Sequence, residues 1–179
     1  MTSSEHVYPA EHGFPNGRYT DTLLAADGGV IWSTPWRHNL IVDRLSAVLA
    51  ALIKGDIQAA ALGYWAVGRG EESWDSGSVP SDANRRAYVQ LVNETGRKPL
   101  SAGQIAFVGG SFTRQIEITA EFTAIDLLVG PPNQRLREFG LFAGGISAAN
   151  SGWLINHRIH PRIDMQPGFT LRRTLRLTF

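Results

Sequence analysis

Apolar and polar positions alternate along FTLRRTLRLTF, residues 169–179. Phe169, Leu171, Leu175, Leu177 and Phe179 share one face, and Thr170, Arg172, Thr174, Arg176 and Thr178 share the other. Arg173 alone breaks the apolar row. A period of two is that of a half-buried strand, because successive side chains leave the pleated backbone on opposite sides. A second run of this kind, RQIEITAEFTAID, places Ile116, Ile118, Ala120 and Phe122 on one face and Gln115, Glu117, Thr119 and Glu121 on the other. One polar face is basic and the other acidic, so the two strands would be matched in charge if they paired side by side. The pattern predicts a mainly β protein, an antiparallel β-sandwich or barrel-like core.

The period becomes helical in one place. Ile41, Leu45, Val48, Leu49 and Leu52 recur at three- and four-residue steps, which predicts one packed helix over about 39–54. Asn39 would cap it, Asp43 would sit near the positive end of its dipole, and Lys54 and Gly55 would close it. Asp27-Gly28-Gly29, between Leu23-Leu24 and Val30-Ile31-Trp32, is a hairpin-turn signal. Residues 1–20 carry Pro9, Gly13, Pro15 and Gly17 without apolar periodicity. The organisation expected is an extended amino-terminal arm over 1–28 and a β domain, helix included, over 29–179. Within it, strands are expected through 62–67, near 99–100, over 104–108 and over 114–125. A polar loop spans 68–82, and one or two helical turns follow at 84–92, with Ala87, Tyr88 and Leu91 inward.

Composition narrows the function classes. A chain of 179 residues suits one domain, and its 19 glycines favour a turn-rich β architecture over a helical one. The net charge of +1 supplies no electrostatic argument for nucleic acid or for an acidic membrane surface. With no cysteine, disulfides, thiol catalysis and thiolate metal sites are excluded. No apolar stretch approaches the roughly 18 residues that span a bilayer. The amino terminus lacks a basic start followed by an apolar run, so synthesis and folding in the cytoplasm are expected.

Candidate chemistry is sparse. Gly68-Arg69-Gly70 begins like a phosphate loop but lacks the third glycine and the following helix, and reads as a turn. His157, His160 and Asp164 suggest a metal triad, yet on a strand the two imidazoles would point to opposite faces. Glu71, Glu72, Asp75 and Asp82 crowd one loop without calcium-loop spacing, which suits a contact to a partner better than a metal site. No nucleophile elbow or other catalytic constellation is present, so neither enzyme activity nor a cofactor or metal is expected. Glu138 stands among apolar neighbours in LREFGLF and, if buried, needs a partner such as Arg97 or Arg158.

The order of several segments carries a family resemblance. HNLIVDRLSAVLAALIKGD, ALGYWAVGRGEESWD, NETGRKPLS, RLREFGLFAGG and INHRIHPRIDMQPGFTLRRTLRLTF follow one another over roughly residues 20–179. In that order they resemble bacteriophage tail proteins, namely baseplate, tail-collar and tail-fibre-base components. Such proteins also occur in phage-derived contractile injection systems. The resemblance implies a structural subunit that anchors a fibre or other tail component. It implies tail and baseplate proteins and fibre subunits as partners, and a homo-oligomer, trimer or ring. It places the chain in a virion tail or injection particle assembled in the bacterial cytoplasm. The expected contact residues are Trp32, Trp36 and Trp74, if exposed, together with Glu71, Glu72 and Asp75. Neither a repetitive shaft nor a heptad run is present, which restricts the chain to a base, adaptor or tip. The alternative is a carbohydrate-binding β-sandwich for host-surface recognition, with Tyr64, Trp65 and Trp74 as a stacking platform.

Overall fold

The structure is a computed structural model that describes residues 15–56, 60–127 and 134–179. It is mainly β and antiparallel, with strands β1 (Asn16–Leu24), β2 (Val30–Ser33), β3 (Arg37–Ile41), β4 (Leu62–Gly68), β5 (Glu94–Pro99), β6 (Ile105–Phe107), β7 (Gln115–Thr123), β8 (Gln134–Ala143), β9 (Trp153–Met165) and β10 (Thr170–Thr178). Nine strands follow one another as β5-β4-β8-β9-β3-β1-β10-β7-β6, with β2 paired to β1, in one sheet curled into a half-barrel. Helix α1 (Arg44–Lys54) packs against β9, and a short helix α2 (Asp82–Arg86) lies near β3.

The concave face holds the main core. Tyr19, Leu23, Ile118, Phe122, Leu171 and Leu175 come from one half of the sheet, and Trp65, Phe139, Leu141, Ile155 and Met165 from the other. Alternation places these residues there: β10 buries Leu171, Arg173, Leu175 and Leu177 and turns Arg172, Thr174, Arg176 and Thr178 outward. The expected charge match across β7 and β10 is present. Arg172 lies opposite Glu121 and Arg176 opposite Glu117, each pair hydrogen-bonded at 2.7 Å.

The expected hairpin also forms. β1 runs into β2 through a turn in which Gly28 takes φ 82° and donates its N–H to Ala25 O. At that backbone angle a glycine is the least strained residue.

Three boundaries differ from expectation. Residues 1–14 of the expected arm lie outside the described residues, and Asn16–Leu24 is an interior strand between β10 and β3. The helix starts at Arg44, because Arg37–Ile41 is a strand paired with β1 and β9. Asn39 is therefore no cap. Its buried Oδ1 accepts from Asn156 Nδ2 at 2.9 Å, while Gly55 closes the helix in the left-handed conformation as expected. The turns expected at 84–92 instead form α2 over Asp82–Arg86, capped by Ser81, and leave Ala87 exposed.

Candidate functional site

The segment between β4 and β5, residues 69–93, is folded back across the outer face of β8 and β9. It begins at Gly70, whose φ of 55° and missing side chain admit the Trp74 ring directly above it. A single-turn helix, Glu72–Ser76, and then α2 follow. Leu91 is completely buried against Val42, Ala66, Phe142 and Leu154, forming a second, smaller core outside the sheet.

Ion pairs fasten this layer. Arg137 holds Asp75 in a bidentate pair at 2.9 and 2.7 Å and donates to Arg69 O at 3.1 Å. The Arg137 hydrogen bond is the main reason the Asp75 carboxyl lies below its usual range. Glu138 is completely buried, as anticipated, but its partners differ from those expected. Its carboxylate accepts from the backbone N–H groups of Val92 at 3.1 Å and Asn93 at 2.7 Å, and lies 2.9 Å from His157 Nε2. Two backbone amides pointing at one carboxylate, with an imidazole beside them, supply the pairing that burial demands. Arg97 instead pairs with Glu94 at 2.6 and 3.1 Å and donates to Ile146 O and Ser151 O. These contacts tie the β5 edge to the turn between β8 and β9. Arg158 makes no ion pair with Glu138.

The anticipated contact residues separate into buried and exposed groups. Trp74 is 8% exposed beneath the covering segment, and Trp32 is half-buried against the main core. Trp36 is exposed and lies between two guanidinium groups, with Arg18 at 5.1 Å and Arg176 at 4.8 Å from the ring. Arg18 and Arg176 are direct cross-strand neighbours. Their repulsion is offset by the ring face and, for Arg176, by Glu117 at 2.7 Å. Glu71 and Glu72 are exposed, Glu72 at 3.5 Å from Arg135. Asp75 is exposed too, with its carboxylate held by Arg137 and the Arg162 guanidinium 3.6 Å away. Of the three residues of the expected stacking platform, Trp65 has no exposed surface, Trp74 almost none, and Tyr64 is half-buried with the Arg97 guanidinium 5.1 Å from its ring centre.

His157 and His160 lie on β9 as expected and serve different surroundings. His157 faces Glu138 and the Tyr88 ring, and His160 stacks on Phe139. Among the described residues no three His, Asp or Glu side chains converge as metal ligands. Sequence reasoning missed Asp21 and Arg85, both buried and both ion-paired. The signal for Asp21 was present in the unpaired Arg173 of the terminal strand. None marked Arg85.

No family model matches the chain, and neither a curated protein nor a solved structure is significantly similar to it.

Proposed function

We propose that this chain is a structural subunit of a phage-type tail or contractile injection particle, a baseplate or fibre-base adaptor that anchors a fibre or another tail component. Its work is mechanical and involves no turnover. The observation that carries the reading is the ordered set of segments resembling tail proteins, together with where those segments fall. ALGYWAVGRGEESWD covers β4 and the start of the covering layer, NETGRKPLS covers β5, RLREFGLFAGG covers β8, and the last segment covers β9 and β10. They supply Arg137, Glu138 and His157, which fasten the outer layer to the sheet, and Arg97, which ties the β5 edge to the turn between β8 and β9. An adaptor under mechanical force needs such a rigid frame, with its contacts placed outside it. Trp36 with its two arginines and the carboxylates of Glu71 and Glu72 are exposed contacts of opposite charge character, suited to different neighbours. The buried tryptophans count against the carbohydrate-binding reading.

The test is the absolute mass of the purified chain in solution, alone and with the products of neighbouring genes. Trimers or rings that join a tail-like particle are expected, and Trp36→Ala should weaken that joining far more than it lowers thermal stability. A chain that stays monomeric and ignores those partners would overturn the proposal.

A further inference from the structure

Between the covering segment and β9 lies a cavity of about 630 Å3. Trp74, Val79 and Pro161 give it an apolar wall, and Arg85, Arg158 and Arg162 bring cationic side chains to it.

The charges around it do not balance. Arg162 is matched by Asp164 at 3.2 Å, and Arg137 nearby is matched by Asp75. Arg85 pairs with Asp82 through Nη2 and donates Nε to Pro80 O at 3.1 Å. Its Nη1 has no acceptor among the described residues, and the side chain is only 5% exposed. Arg158 has no carboxylate partner among the described residues. Its guanidinium lies 5.8 Å from the centre of the Tyr19 ring, and its Nε is likewise buried without an acceptor among the described residues. The two guanidinium groups also act on each other. Burial lowers the Arg85 pKa, its Asp82 partner raises it, and the Arg158 charge lowers it again. Two neighbouring arginines, each with a buried donor unused and one positive charge uncompensated, form an arrangement that an anion would complete.

We propose that this cavity binds a carboxylate, held between Arg85 and Arg158, with the apolar body of the ligand against Trp74, Val79 and Pro161. Among the described residues around the cavity Arg158 is the one cation without a carboxylate, and a single negative charge matches it. A phosphate dianion would bring a second charge next to Asp75 and Asp164, which line the same cavity. The planar fork of a guanidinium also matches a carboxylate in two-point contact. The carboxylate has two possible sources, a free organic acid or an Asp, Glu or chain terminus of a partner protein. The site does not depend on the tail-subunit reading, and its test reads binding, not assembly.

The experiment is calorimetric titration of the intact chain with 3-phenylpropionate, its neutral amide, inorganic phosphate and the peptide acetyl-Leu-Glu-Leu-amide. Saturable binding of a carboxylate probe, with no binding of the neutral amide, is expected. Arg158→Gln should weaken that binding by about tenfold or more while circular dichroism shows an unchanged fold. Peptide binding tighter than that of the free acid assigns the carboxylate to a partner chain. The reverse order assigns it to a small acid. Absence of saturable binding by both carboxylates would overturn the proposal, as would equal binding of acid and amide, or tighter binding of phosphate. The comparison of acid with amide uses the unaltered chain, so it decides the matter even if the variant fails to fold.

Discussion

At the scale of residues, the two interruptions of otherwise apolar rows turn out to be one interaction. Arg173 on β10 and Asp21 on β1 stand directly opposite each other and form a bidentate pair at 2.6 and 2.8 Å, both buried. The guanidinium lies 4.0 Å from the Phe139 ring, so the charge is held by a carboxylate on one side and an aromatic face on another. Removing one partner of a buried pair leaves the other charge without solvation, whereas removing both leaves a packing problem only. Arg173→Met is therefore expected to cost about 3–5 kcal/mol. The double variant with Asp21→Leu should recover much of that loss, as measured by urea unfolding. Equal losses in the single and double variants would show that the pair contributes packing alone. His160, next to this pair, gives a pH signature. Burial first, and then the Arg173 charge, bring its pKa from 6.5 down to about 3, with Asp21 and the Pro161 carbonyl opposing and Arg158 reinforcing. The folded pKa lies below the unfolded one, so the unfolded chain takes up the proton first. Stability then falls as pH drops from 6.5 towards about 3. Asp75 and Asp126, whose carboxyls are also lowered, weaken the fold only as pH falls through and below their unfolded value of 3.8. Above that range His160→Gln should flatten the dependence of the urea midpoint on pH. An unchanged slope between about pH 6.5 and 4.5 would exclude His160 as its source.

At the scale of elements, the sequence was legible wherever one rule acted alone. β7 and β10 alternate cleanly, and their opposed charges lie in register as the composition of their faces implied. Two rules competed in β1, where Tyr19, Asp21 and Leu23 all face inward. A charge in the middle of an inward row hides the strand, and only its distant counter-charge on β10 makes that position tolerable. β3 was hidden differently. Ile41 points into the same core as Leu45 and Val48, so the apolar spacing of a strand end and a following helix imitates one longer helix. Burial of Glu138 could be read from its neighbours, but not its partners. Val92 and Asn93 act through backbone N–H groups, which every residue but proline possesses and which no pattern advertises. The cavity between Arg85 and Arg158 was invisible for a related reason, since 73 positions separate two residues that the folded-back layer brings together.

At the scale of the whole molecule, the backbone ladder is weakest near its middle. The half of the sheet containing β5, β4, β8 and β9 is joined to the half containing β1, β10, β7 and β6 through β3. That strand pairs with β9 only at Leu40 and Ile41, and with β1 at Arg37, His38 and Asn39. Cooperativity must come mainly from side chains, because the main core is continuous across this seam. Phe122 on β7 meets Trp65 on β4 edge-on at 6.4 Å, and Tyr19 on β1 meets Phe139 on β8 edge-on at 5.1 Å. Phe122→Ala would open a cavity under a fully buried ring, and a loss of about 3–5 kcal/mol is expected. The informative readout is where that loss is felt. If the two halves form one cooperative unit, hydrogen-exchange protection should fall by the same free energy in peptides from β4 and β8 as in peptides from β7 and β10. A loss confined to β7 and β10 would mean that the halves open separately at β3. The molecule would then transmit force across a hinge, and a rigid adaptor would be the wrong description of it.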